Sequence, residues 1–103
     1  MSHEYMIHLR EPAVDSVLAV LRNSVVFAYE KPGHTALKDP NSGNSWDHDV
    51  RIFKENEREL FLEITTWTQA LYCALKDALA GKYYEVTEHE DDEVISLERA
   101  FRQ

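Results

Sequence analysis

The chain has 103 residues and a net charge of −8 with histidine neutral, and 44% of its residues are hydrophobic. This length suits one domain over residues 1–103, and the aromatic content excludes an intrinsically disordered chain. The acidic balance excludes the basic surface that nucleic-acid binders use, so we expect no nucleic-acid partner.

The sequence pattern also bears on location. No apolar run approaches the ~20 residues that a transmembrane helix needs, and the pattern of the N-terminal residues leads us to expect no secretory leader. Cys73 is the single cysteine, so it has no partner for an internal disulfide. These features predict a cytoplasmic protein with no membrane partner.

The first predicted elements are a strand and a helix. Apolar residues alternate from Tyr5 to Leu9, which is the period of a strand, and His8 lies on the opposite side. Pro12 suits the first turn of a helix. The apolar residues after it recur at helical spacing and form one stripe: Val14, Val17, Leu18 and Leu21.

A second strand and a long loop come next. Residues 25–30 are rich in β-formers and predict a strand with Val25, Phe27 and Tyr29 on one face. Residues 31–49 are rich in Pro, Gly, Asn and Ser and show no apolar period. Loops of this length in compact domains tend to be functional or mobile, and we expect residues 33–45 to be the most mobile internal segment.

The second half of the chain predicts a hairpin, a helix and further strands. Residues 50–54 and 59–64 alternate around a polar turn. Thr66 and Gln69 have the spacing of a capping box, and Gly81 suits the end of the helix that follows. The predicted buried stripe of this helix is Trp67, Leu71, Ala74, Leu75 and Ala78. Residues 83–88 and 93–97 predict two strands, and residues 97–102 a short helix.

Together these elements predict an α+β domain of two layers. Both main helices are amphipathic on one side, and the strands alternate, which favours an antiparallel or mixed sheet of five to six strands with the helices on one face. A ferredoxin-like βαββαβ core with additions is the favoured topology.

The acidic segment, residues 85–93, is the most unusual part of the composition. It has no Lys or Arg, and its six carboxylates are Glu85, Glu88, Glu90, Asp91, Asp92 and Glu93. Because clustered like charges repel one another, we interpret it as a docking surface for a basic protein partner. Two alternatives stay open, namely a solvated hairpin tip that aids solubility and a cation site.

The end of the long loop gives a second candidate. Trp46 and His48, joined by His8 of the first strand, would lie near the mouth of a pocket between sheet and helices. The loop histidines and aspartates lack the spacing of a zinc or calcium motif, so no metal is predicted. No phosphate-binding loop or nucleophile elbow is present, so we expect no cofactor. Cys73 lies away from the predicted helix stripe with no nearby base and is interpreted as an ordinary side chain.

These observations favour a non-enzymatic interaction protein, such as an inhibitor, an immunity-type protein or an accessory subunit. It would bind a basic protein partner through the acidic segment, with the 31–49 loop as a further candidate for the contact. A small enzyme or ligand-binding domain is the first alternative. A structural homo-oligomer, such as a homodimer, built on an exposed sheet face is the second.

Overall fold

The computed structural model describes residues 3–90 and 93–101, so Asp91 and Asp92 of the acidic segment lie outside the described residues. Within these ranges the strands are β1 (His3–Leu9), β2 (Phe27–Lys31), β3 (His34–Leu37), β4 (Val50–Lys54), β5 (Glu59–Ile64), β6 (Tyr84–Glu88) and β7 (Val94–Ile95). The helices are α1 (Val14–Arg22), α2 (Gln69–Ala78) and α3 (Leu97–Ala100).

The described strands form one antiparallel sheet in the order β2-β3-β4-β5-β1-β6-β7. Helix α1 connects β1 to β2, and β3, β4 and β5 lie between these two strands in the sheet. Helix α2 connects β5 to β6, and β1 lies between them. The prediction of an α+β domain with an antiparallel sheet is confirmed. The described residues form seven strands where five to six were expected, and α3 lies where the short helix over residues 97–102 was predicted.

Strand β3 corrects the predicted 31–49 loop. It pairs with both β2 and β4, so residues 34–37 belong to the sheet. Pro32 and Gly33 form the turn of this hairpin, and Gly33 has a φ of +96°, which favours glycine. The sequence prediction missed β3 because four residues directly after a Pro-Gly turn are too few to show an alternating pattern.

Strand β2 also differs from its prediction. It begins at Phe27, because Val25 and Val26 lie in a turn, where Val25 is 95% exposed and Val26 is buried. A register shift between Phe27 and Tyr29 places these two side chains on opposite faces of the sheet. The predicted shared face of Val25, Phe27 and Tyr29 is therefore wrong.

The helices bury most of the stripes that their sequences predict. All four stripe residues of α1 are buried, and in α2 Leu71, Leu75 and Ala78 are buried. The cap of α2 is Thr68, whose side chain accepts a hydrogen bond from the Leu71 amide at 3.3 Å, so the capping box predicted at Thr66 is wrong. Trp67 precedes the helix and is exposed, so it does not belong to the core stripe.

One hydrophobic core lies between the helices and one face of the sheet. Alternate residues of β1 and β5 enter it, and all three helices contribute side chains to the same cluster. We call the opposite side of the sheet the open face, because no described helix packs on it. In the described part of the chain, no helix has the length and apolar character needed to span a membrane.

Candidate functional site

Five rings form a continuous row across the open face. The aromatic row consists of Tyr29, His34, Phe53, Phe61 and His89, with successive ring centroids 6.0, 5.2, 5.8 and 5.0 Å apart. All neighbouring rings meet edge-on or tilted, as aromatic pairs prefer. The row therefore crosses the sheet from β2 to the turn after β6.

Strand register explains how the row forms. His34 pairs with Phe53 and Phe53 with Phe61, so these side chains share one face on three adjacent strands. His89 joins them because its backbone N–H donates to the carbonyl of Glu4, at 3.1 Å, which holds the turn against β1. Four of the rings are partly buried and His89 is exposed.

An aromatic row is unusual on a sheet face that no helix covers. Such faces normally carry polar side chains, and contiguous exposed apolar surface marks interaction sites. None of the predicted site residues belongs to the aromatic row. Its signal was present, since Phe61 occupies the side of β5 opposite Leu60 and Leu62, where the alternation calls for a polar residue.

Two cations lie over rings of the row. The Lys31 ammonium lies 5.2 Å from the centroid of Tyr29, and the Arg51 guanidinium lies 5.6 Å from that of Phe53. Both distances suit cation–π attraction. Arg51 Nε also donates to Glu63 Oε1 at 2.7 Å, and this hydrogen bond raises the pKa of Arg51.

The same surroundings act on His34. Burial lowers the pKa of His34 from its ordinary value, and the positive charges of Arg51 and Lys31 lower it further. The lowered pKa favours the neutral form of the His34 ring, which suits its position between the rings of Tyr29 and Phe53.

His8 bridges three strands of the open face. Its Nδ1 lies 2.7 Å from Glu59 Oε2 and its Nε2 lies 2.9 Å from Thr87 Oγ1. Asn56 donates to the other Glu59 oxygen at 2.8 Å. The hydrogen bonds from Asn56 and from His8 lower the pKa of Glu59, so its carboxylate stays charged. Both ring nitrogens of His8 are thus already engaged within the protein.

Trp46 and His48 form a second cluster, which meets the aromatic row where the Tyr29 hydroxyl donates to Asp47 Oδ1 at 3.4 Å. The ring of Trp46 meets that of His48 edge-on at 5.7 Å, and His48 Nδ1 lies 2.9 Å from Asp47 Oδ1. That hydrogen bond lowers the pKa of Asp47. His48 is 5% exposed, and its Nε2 is buried with no hydrogen-bond partner among the described residues.

The structure does not bring His8 to this cluster. His8 is aligned with Glu59 at the start of β5, whereas Val50, two residues after His48, is aligned with Ile64 at the end of β5. The predicted pocket containing Trp46, His48 and His8 is therefore not formed, because strand register places its members at opposite ends of the sheet.

The segment before His48 is built around one buried carboxylate. We call residues 38–49 the Asp49 loop, because the Asp49 side chain is fully buried and accepts hydrogen bonds from several loop residues. The donors are the backbone N–H of Asp39 at 2.8 Å, Asn44 Nδ2 at 2.9 Å, Ser42 Oγ at 3.1 Å and Lys38 Nζ at 3.5 Å. The polar residues that predicted a long loop therefore include Ser42 and Asn44, whose hydrogen bonds hold the loop to Asp49.

Metal and thiol chemistry find little support in the geometry. Within residues 3–90 and 93–101, no three His, Cys, Asp or Glu side chains cluster as metal ligands would. Cys73 is exposed, and the hydrogen bond to its sulfur comes from Gln69 at 3.7 Å. A glutamine amide does not activate a thiol as a base or a positive charge would.

The acidic segment divides between the two sides of the sheet. Glu85 is aligned with His8 on the open face, whereas Glu88 is aligned with Tyr5 on the helix side. Glu88 N donates to Glu93 O at 3.0 Å, which closes the hairpin of β6 and β7. Glu90 and Glu93 are exposed, and Glu93 lies 3.9 Å from Arg99. The period of two along β6 therefore separates Glu85 from Glu88, and these two carboxylates do not share a patch.

A groove lies beside the last two rings of the aromatic row, Phe61 and His89. We call it the Phe61 groove; it measures about 430 Å³ and is lined by Met6, Glu55, Asn56, Glu59, Phe61 and His89. Its floor is apolar and two of its side chains are carboxylates. Comparisons with family models, with curated proteins and with solved structures found no match for this chain. A proposal of function therefore has to rest on the geometry of the open face and of the Asp49 loop.

Proposed function

We propose that this protein is a non-enzymatic interaction protein, of the inhibitor, immunity or accessory-subunit kind, and that it binds a basic protein partner through the open face. The observation that carries the proposal is the aromatic row, which lies on the one side of the sheet that no described helix covers. Aromatic residues are enriched where protein interfaces bury their central contacts, because they offer a large rigid surface.

Charge supports a basic partner. Four carboxylates share the open face with the rings, and they are Glu4, Glu59, Glu63 and Glu85. Glu63 is engaged by Arg51, and the chain as a whole has a net charge of −8. Complementary charge accelerates association and rejects acidic competitors, while burial of the rings supplies affinity. The acidic turn after β6 would extend this attraction at the edge of the face.

A pull-down from the native host, with the tagged protein and two variants, tests the proposal. The face variant combines Phe53→Ser with Phe61→Ser, and the control is Val25→Ser, which changes an exposed apolar residue outside the face. We expect one stoichiometric basic protein with the wild type and with the control, and its loss with the face variant. Circular dichroism checks that the variants are folded.

Two outcomes would count against the proposal. Equal recovery of the partner by the face variant would move the docking site elsewhere. Self-association that is measured by light scattering, and lost in the face variant, would favour the homo-oligomer on the same surface. Either result is read from proteins of verified fold, so loss of binding through unfolding is excluded.

The buried nitrogen of His48 favours a second candidate function, which is binding of a small ligand at the loop. An ionised carboxylate only accepts hydrogen bonds, so the His48 nitrogen facing Asp47 is the donor of that pair and Nε2 is left without a partner. A polar group of a ligand would supply that partner once Trp46 moved aside. NMR of the imidazole nitrogens, before and after addition of a metabolite extract from the host, would detect this, and an unchanged Nε2 signal would argue against it.

We also propose a ferredoxin-like core and a cytoplasmic location. The order β4-β5-β1-β6 supports the first, because α2 leads from β5 to β6 and α1 leads from β1 to β4 by way of an added hairpin of β2 and β3. Strand β7 is a further addition. The exposed thiol of Cys73 supports the second, because a reducing compartment keeps such a group free. A crystal structure showing left-handed crossovers would contradict the core, and fractionation of host cells tests the location.

A further inference from the structure

The aromatic row repeats one arrangement, in which a cation lies over a ring. Tyr29 has the Lys31 ammonium at 5.2 Å and Phe53 has the Arg51 guanidinium at 5.6 Å. Phe61 is the next ring in the row, and its ring contacts are to Phe53 and His89. The described part of the chain places no Lys or Arg over Phe61, so this ring lacks the cation that its neighbours have.

The neighbouring Phe53 shows what such a cation would need. Arg51 lies over the ring of Phe53 and donates to the Glu63 carboxylate at 2.7 Å. A guanidinium suits this arrangement because it is planar, stacks on rings and forms directed hydrogen bonds to carboxylates. Ring, carboxylate and arginine therefore form one unit on the open face.

Phe61 also has a carboxylate beside it, that of Glu59. Glu59 lies two residues before Phe61 on the same strand and face, as Glu63 lies two residues after it. Asn56 and His8 each hold one Glu59 oxygen, which fixes the carboxylate and keeps it charged. A carboxylate has about four acceptor positions, so two hydrogen bonds leave capacity for a further donor.

The space beside Phe61 is open to an incoming side chain. The Phe61 groove measures about 430 Å³, with Met6 on its floor and the exposed Glu55 on its rim. An apolar floor suits the methylene stem of a long basic side chain, while a carboxylate rim suits its charged end. No described Lys or Arg lines this groove.

We propose that the Phe61 groove binds an arginine side chain of the basic partner, in the way that Phe53 and Glu63 hold Arg51. This inference deepens the proposed function and rests on it. The guanidinium lies on the ring of Phe61 and donates to Glu59, with its stem on Met6. The arginine is an anchor on the open face, with Phe53 and His89 as the rings next to Phe61.

NMR titration with three acetylated and amidated heptapeptides tests the groove directly, namely hepta-arginine, hepta-lysine and hepta-citrulline. We expect hepta-arginine to shift the ring signals of Phe61 and the methyl signal of Met6, and to bind more tightly than hepta-lysine. Hepta-citrulline keeps the shape without the charge and should not bind. Phe61→Leu should weaken hepta-arginine binding by about 2- to 30-fold, the range of exposed to desolvated cation–π contacts.

Matched variants separate the groove from general attraction. Phe53→Leu should change the affinity for hepta-arginine by less than about 2-fold, because Arg51 already occupies that ring. Glu59→Gln should weaken binding, whereas Glu11→Gln, at an exposed glutamate outside the sheet, should change it much less. Both glutamine substitutions preserve the size of the side chain, so they provide a test if Phe61→Leu perturbs the fold.

Three results would overturn this inference. Equal affinity of wild type and Phe61→Leu would exclude the ring, and equal affinity for hepta-lysine would exclude arginine as the specific anchor. Shifts confined to residues 88–90, with Phe61 unmoved, would show attraction by the acidic turn alone. Each of these results leaves the proposed function intact, since that proposal fails only if the host partner does not use the open face.

Discussion

Replacing Asp49 with alanine should unfold the Asp49 loop and weaken the whole domain. The carboxylate is fully buried and accepts from the Asp39 amide, Asn44 and Ser42 at 2.8–3.1 Å, with Lys38 at 3.5 Å. Alanine leaves these donors without an acceptor. Removing one partner of a buried charged network costs about 3–5 kcal/mol, a large part of the ~5–15 kcal/mol that stabilises a domain.

Urea denaturation measures this loss. A urea dependence of about 1–3 kcal/mol per molar converts the expected loss into a midpoint lower by about 1 M or more. Amide exchange at Asp39 should accelerate in parallel, because its N–H loses the Asp49 acceptor. Ser45→Ala is the control within the same loop; the Ser45 side chain is exposed, and its truncation should cost less than about 0.5 kcal/mol.

A loss of unfolding free energy in Asp49→Ala no larger than in the control would contradict this prediction. An unchanged rate of amide exchange at Asp39 would contradict it as well. Should the alanine variant not fold, Asp49→Asn provides the second test. Asparagine preserves the shape but replaces one acceptor oxygen with a donor, so it cannot satisfy the hydrogen-bond donors on both sides of the carboxylate. Its loss of stability should lie between those of the control and the alanine variant.

The core, the aromatic row and the acidic turn at residues 88–90 each give one further prediction. Leu71→Ala should cost about 2–5 kcal/mol in chemical denaturation, as for a fully buried leucine, and a loss of a few tenths would contradict its place in the core. Because the pKa of His34 is lower in the folded protein than in the unfolded chain, the unfolded chain takes up the proton first as the pH falls. The free energy of unfolding should therefore be highest above about pH 6.5 and should decrease as the pH falls from there to the folded-state pKa of His34. His34→Gln should flatten this dependence in denaturation between about pH 7 and 5, and an unchanged slope would refute it. Glu88→Gln with Glu90→Gln should slow association with a basic partner at low salt and not near 1 M, where the Debye length is ~3 Å, and equal rates at low salt would leave the turn without a docking role.

The sequence could predict the elements that bury one side along a regular period. The stripe of α1 and the alternation of β1 and β5 were read correctly, because a side chain that repeats at the helical or strand period faces the same neighbour each time. The antiparallel α+β class followed from the same patterns. Errors occurred where no period exists, as at β3 and at the cap of α2, where Thr68 and not Thr66 begins the helix.

The candidate site was less predictable than the fold. Trp46, His48 and His8 were chosen for their chemistry, but strand register holds His8 near the start of β5 and the other two near its end. The density of charge indicates the acidic segment as a docking surface, but the alternation of β6 places Glu85 and Glu88 on opposite faces of the sheet. Composition does not contain this information, because direction and register are properties of paired strands.

Composition and periodicity by themselves determined a small acidic domain, its helices and most of its strands. Only the tertiary structure decided which rings meet, since the aromatic row joins residues from 29 to 89 through the pairing of separate strands. It likewise decided that Asp49 would organise a loop of polar residues. The physical reason is the same in both cases: hydrogen bonds and ring contacts act over a few ångströms, and the sheet brings together residues that the chain holds far apart.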